Sequence, residues 1–270
     1  DCPQPTPMIL LLNVHPSRTS DLLKPDTLVT DPPVPMTTFS DCFGNRCTRL
    51  IAPAGSMRIS TDAIVHDSGL HDLVVADAPQ TPVQELPYET LQYLMGSRYC
   101  ETDQLSDIAW SLFGNIPGGW GKVQAINDYV HGHIEFGYKH ARATRSAWEV
   151  FHERVGVCRD FTHLAIAFCR ALNIPARYCT GYLGDIGIPP VDEPMDFSAW
   201  MEVWLDGHWY TLDPRNHIPR IGRVLIARGR DATDVAISTA FGPNTLRQFK
   251  VHTEEVVDPV EGRLTLSSVI

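Results

Sequence analysis

The fold is decided by three segments: Gly156-Val157-Cys158-Arg159-Asp160-Phe161-Thr162-His163, then Phe197-Ser198-Ala199-Trp200-Met201-Glu202-Val203-Trp204-Leu205, then Asp206-Gly207-His208-Trp209-Tyr210-Thr211-Leu212-Asp213-Pro214. The first opens a run that is apolar nearly all round, through Leu164, Ile166, Phe168 and Leu172. That pattern predicts a helix over 158–172 inside a domain, stopped by Asn173 and Pro175. The other two alternate aromatic and β-branched residues about Asp206-Gly207, the pair favoured in a two-residue type I′ hairpin.

The hairpin register follows from its turn. If Leu205 pairs with His208, outward pairing sets Trp200 opposite Asp213, and Ser198 shares their face because side chains alternate. Ser198 and Asp213 are then diagonal neighbours roughly 7–8 Å apart, within reach of an imidazole at 198 but not of a serine hydroxyl. The hairpin has the form of a base-and-orienter pair in which serine occupies the base position. His208 points to the opposite face and is no replacement.

Cys158 is the candidate nucleophile, because the helix dipole and the unpaired N–H groups of a first turn favour thiolate over thiol. Cys169 and Cys179 fall inside apolar elements and read as inert small hydrophobes. Asp213 reads as the orienting carboxylate, against the alternative of a strand-end turn residue before Pro214. Trp200 and Trp204 share the Ser198 face and are expected to pack as core, as candidates against the helix carrying Cys158.

Around these segments the organisation is α+β. Apolar runs at 9–14, 48–52, 57–66 and 73–76, broken by proline and glycine, predict a β-rich N-terminal domain over 1–80. A proline-rich, aperiodic stretch at 77–87 reads as a linker. Helical periodicity follows at 88–95, 103–113, 123–134 and 147–154, the last capped by Thr144 or Ser146 and ended by Gly156. Strands are expected at 176–183, 197–205, 208–212, 223–227 and 245–254. Helices followed by an antiparallel sheet give an α+β core over 88–257.

The chain has 270 residues, 43% hydrophobic and 20% charged, with a net charge of −10. The acidic balance argues against nucleic-acid and acidic-membrane partners, and no apolar run approaches the ~20 residues of a membrane span. A soluble protein is expected. Seven cysteines at irregular spacing imply no disulfide framework and suggest a reducing, cytoplasmic location. Cys42 and Cys47 could be half a zinc site but lack a second ligand pair, and His131-Gly132-His133 splays its rings on a helix. No metal or cofactor is assigned. Arg215, Arg220, Arg223, Arg228 and Arg230 form a basic run, read either as solvated and paired or as a carboxylate-binding strip.

At these residues the chain resembles the bacterial transglutaminase-like superfamily, whose core is similar to that of papain-type cysteine proteases. The family pattern is a cysteine at a helix start, a His-Ala-Trp strand, and Asp-Pro ending the next strand. It maps onto Cys158, Ser198-Ala199-Trp200 and Asp213-Pro214. The segment 229–235 and the N-terminal β domain are also similar to parts of bacterial members.

The resemblance implies a peptide or protein substrate and a thioester on Cys158. Thiolate attacks an amide carbonyl, histidine protonates the leaving amine, and water or a second amine resolves the intermediate, as in a cysteine protease, amidase or acyl transferase. Ser198 departs from this pattern, since its hydroxyl does not titrate near neutral pH. By the scale of a serine protease stripped of its histidine, the departure costs roughly 10⁶ in turnover. Three other histidines are candidates for the base. His217 follows the bend at Pro214, and His140 lies in the loop before the capped helix. His163 should face away from Cys158, being roughly 140° round a regular helix. The alternative reading is a catalytically silent scaffold that binds a peptide or protein partner in the substrate groove.

Overall fold

A computed structural model describes residues 1–190, 197–258 and 262–269, with side chains described for 1–190 and 197–256. In chain order the N-terminal strands are β1 (Thr6–Leu10), β2 (Leu22–Lys24), β3 (Val29–Asp31), β4 (Met36–Ser40), β5 (Arg46–Ala52) and β6 (Arg58–His66). Helical elements follow: α1 (Tyr88–Leu91), α2 (Thr102–Phe113) and α3 (Trp120–His133), then β7 (Glu135–Phe136), α4 (Ala147–Glu153), β8 (Val155–Gly156) and α5 (Cys158–Ala171). The remainder is β9 (Ala176–Leu183), β10 (Phe197–Leu205), β11 (His208–Leu212), β12 (Arg223–Gly229), β13 (Ser238–Ala240), β14 (Val251–Asp258) and β15 (Gly262–Val269). The fold is α+β, as the sequence pattern predicts.

The central sheet runs β11-β10-β9-β12, all antiparallel, and α5 packs on one of its faces. Leu164, Ile166 and Phe168 of α5 share a core with Ala199, Met201 and Val203 of β10 and Leu212 of β11. That core continues into Leu11, Val14, Ala63 and Val65 of the N-terminal strands. Strands from the far end of the chain complete the N-terminal sheets, β13 beside β1 and β15 beside β6.

Local chemistry accounts for the ends of the elements. Asp206 (φ 46°) and Gly207 (φ 78°) both take the left-handed conformation of a type I′ turn, and Leu205 pairs with His208. Ser146 and Glu149 form a reciprocal cap on α4. α4 ends at Arg154, whose φ of 57° gives the left-handed exit, rather than at Gly156 as the sequence suggests. Gly156 is needed for another reason: a Cβ there would lie 2.7 Å from Asp160 Cβ. The bare backbone lets Asp160 fold back and accept from Val157 N (2.9 Å), which caps α5 one residue before Cys158.

Three expectations shift. No strand forms at 73–76, and the preceding Asp72 is bonded to Arg220 N and Arg223. The helix expected over 88–95 is the short α1 followed by a 3₁₀ turn at Gln92–Leu94. The strand expected at 245–254 starts at Val251, because 243–250 runs as exposed coil.

Candidate active site

Cys158 is the first residue of α5 and is half-buried. Tyr178 lies near it from β9; burial and then the adjacent Cys158 push the Tyr178 hydroxyl well above its ordinary range. The β7–β8 pair, with Phe136 opposite Gly156, leads the chain into the helix. Asp160 sits beneath, with Arg145 Nη1 3.1 Å from its carboxylate. Burial raises the Asp160 carboxyl, partly offset by the Val157 amide and the arginines.

Asp213 follows β11 and is buried. Its Oδ1 accepts from Asn216 N (2.9 Å), and its Oδ2 accepts from Asn216 Nδ2 (2.7 Å) and Arg223 Nη2 (3.0 Å). The Arg223 guanidinium lies 5.0 Å over the Trp200 ring and donates from Nε to both oxygens of Asp72 (3.1 and 2.9 Å). Burial works against the charge on Arg223, but Asp213 and Asp72 outweigh it and hold the group above its ordinary value. The carboxylate is therefore ligated by an arginine and an asparagine, with no imidazole on it among the described residues.

Strand alternation fixes the faces. The β10–β11 ladder runs from Leu205↔His208 to Met201↔Leu212, and Met201 and Leu212 belong to the face covered by α5. Trp200 belongs to the other face, where it clusters with Cys179 and Leu225 under Arg223. The expectation that Trp200 packs against the helix of Cys158 is thus corrected; alternation gives that contact to Ala199, Met201 and Val203. Ser198 pairs with Gly181, is half-buried, and accepts from Thr180 Oγ1 through its carbonyl (3.0 Å).

Cys158 therefore belongs to the α5 side of the sheet, and Asp213, bonded to the Arg223 that lies over Trp200, to the other. The residues after Asp213 turn back toward the segment that leads into α5. Arg215 lies 4.2 Å over the ring of Phe136, the partner of Gly156, and Pro214 O meets His131 Nδ1 at 3.1 Å.

The remaining histidines have other contacts. His163 is buried, stacked on Tyr99 (5.1 Å) and beside Tyr178, and its Nε2 accepts from Ala232 N (3.1 Å). Burial lowers its pKa to about 3. Its environment is that of a neutral core group. His217 pairs through Nε2 with Asp128 (2.7 Å) and stacks on His131 (4.4 Å), while its backbone N–H donates to Asp213 O (2.8 Å). His140 Nε2 lies 3.9 Å from Glu135. Cys169 is buried and its thiol pushed up to about 12, and burial raises Cys179 as well.

Sequence reasoning missed Arg223 and Asn216 as partners of this carboxylate, and Asp72 as the second partner of Arg223. Asn216 had a signal, since Asp-Pro-Arg-Asn is a turn that bonds its own third amide. Arg223 was visible only as one member of a basic run, and Asp72 carried none.

Residues 111–214 match the family model described as the transglutaminase-like superfamily. A crystal structure from Cytophaga hutchinsonii, described as a "Putative Cysteine Protease", is 30% identical and superposes with a TM-score of 0.75, covering 99% of this chain and 93% of that one. An uncharacterized Mycobacterium leprae protein is 35% identical over 94 residues, covering 34% of this chain and 33% of its own. One from Mycobacterium tuberculosis H37Rv is 35% identical over 114 residues, covering 38% and 36%. The match spans about a third of the length of these mycobacterial relatives. With the helix-start cysteine, the Asp-Pro hairpin and a near-complete structural counterpart in place, the chain belongs to the transglutaminase-like superfamily.

Proposed function

We propose that the chain performs cysteine-dependent amide chemistry, as a peptide or amide hydrolase or acyl transferase working through a thioester on Cys158. Asp213 serves as the carboxylate of the set, and Ser198 stands where the family pattern carries histidine. The observation that supports this most is the setting of Cys158: half-buried at the first position of α5, over a backbone cap made by Asp160. A thiol placed there gains from the helix dipole and from first-turn N–H groups, which also suit a developing oxyanion. The substrate is a peptide or protein segment, and the location is cytoplasmic.

The pH dependence of Cys158 alkylation tests the proposal. An activated thiolate reacts well below the ~8.5 of an unperturbed cysteine. A midpoint at or above that value would contradict the assignment. A second reading, a silent scaffold that holds a peptide, is favoured by the ligation of Asp213 by Arg223 and Asn216 together with serine at 198. It predicts ordinary thiol behaviour at Cys158.

A further inference from the structure

The N-terminal sheets enclose a second hydrophobic cluster, separate from the main core, built on Cys2, Leu10, Leu12, Leu28, Leu50 and Ala52. Beside it opens a cavity of about 590 Å³ walled by Leu10, Ala52, Met57, Ile59, Ile237 and Phe249. A cleft of this size has the dimension of a ligand pocket, roughly 300–1,000 Å³, with apolar residues on its floor and polar and charged ones, Arg58, Arg247 and Lys250 among them, on its solvent side.

The rim supplies the second part of the argument. Arg58 and Lys250 border the cavity, are exposed, and take part in no ion pair among the described residues. Asp31 stands opposite Arg58 in the β3–β6 ladder without pairing with it. The third rim cation, Arg247, is held by Asp1 at 2.7 Å. Two unpaired cations beside this cleft stand out in a chain of net charge −10. The segment between them, 243–250, runs as coil over the opening and carries Leu246 at 74% exposure; its hold there is the reciprocal bonding of Thr245 with Asp1.

We propose that this cavity binds a free medium-chain alkyl carboxylate. The hydrocarbon fills the space between the sheets, the carboxylate lies on Arg58 and Lys250, and Leu246 closes over the chain. The site is independent of Cys158 and of the reaction proposed for it.

Calorimetric titration of the full chain with laurate, and in parallel with the uncharged alcohol of the same length, tests this. Saturable one-to-one binding of laurate is expected. Ser238→Trp, which places an indole in the cavity, should weaken both ligands at least about tenfold while unfolding stays cooperative. The surface pair Arg58→Glu/Lys250→Glu should weaken laurate about tenfold and leave the alcohol unchanged. The proposal is overturned by the absence of saturable laurate binding at millimolar concentration, by affinity indifferent to both variants, or by retention on anionic vesicles without uptake of laurate from solution.

Discussion

Replacing Arg223 with methionine is expected to be among the most damaging single substitutions in the central sheet. Among the described residues Arg223 is the cation bonded to Asp213, and it also holds Asp72; the three side chains are 8%, 1% and 14% exposed. Removing it leaves the buried Asp213 and the largely buried Asp72 without their cation, and removing one partner of a buried pair typically costs about 3–5 kcal/mol. The stacking over Trp200 at 5.0 Å adds about 0.5–2 kcal/mol. Urea unfolding followed by tryptophan fluorescence reads the change, since Trp200 lies under the guanidinium. The decisive step is a double-mutant cycle. Asp213→Asn in the Arg223→Met background removes a stranded charge and should recover about 1–3 kcal/mol, whereas in the parent it should destabilise. An Arg223→Met loss below about 1 kcal/mol, or strict additivity of the two changes, would refute the buried-pair reasoning.

Acid should destabilise the chain early. Burial lowers His163 to about 3 and His15 to about 4, from 6.5. A lowered folded pKa contributes stability that is complete above pH 6.5 and lost as pH falls, down to about 4 for His15 and about 3 for His163. The slope is about 1.4 kcal/mol per pH unit for each histidine. Stability measured from pH 7 to 5 should fall accordingly, and a flat profile would count against both assignments. Gly156→Ala forces its Cβ to within 2.7 Å of Asp160 Cβ, so a cost of about 1–3 kcal/mol and altered Cys158 alkylation are expected by unfolding and labelling assays. Leu164→Ala, in the helix face against Met201, should cost about 2–5 kcal/mol by urea unfolding without moving the alkylation midpoint.

The sequence was most readable where one local rule governs. Asp206-Gly207 set the β10–β11 register because a two-residue turn leaves no freedom in pairing, and the all-round apolar pattern of α5 could only describe a buried helix. The ladder ends at Met201↔Leu212, one pair short of Trp200 and Asp213, and Arg223 contacts both of them. Which face α5 covers was not readable, because both faces of this sheet are buried and alternation gives no preference between Trp200 and Met201. Arg223 and Asp72 stayed hidden for another reason. Arg223 meets Asp213 across 10 residues of chain and Asp72 across 151, and an ion pair between distant residues leaves no local pattern. The pairing of β15 with β6 is likewise non-local, and neither strand carries a turn that would announce the other.

The central claim is that Cys158 and Asp213 belong to one site lacking only its imidazole. Ser198→His tests this directly, read as the rate of Cys158 alkylation at neutral pH with and without Asp213→Asn. The account predicts that histidine at 198 accelerates alkylation and that Asp213→Asn removes most of the gain. Equal rates in the parent and the Ser198→His protein would contradict it.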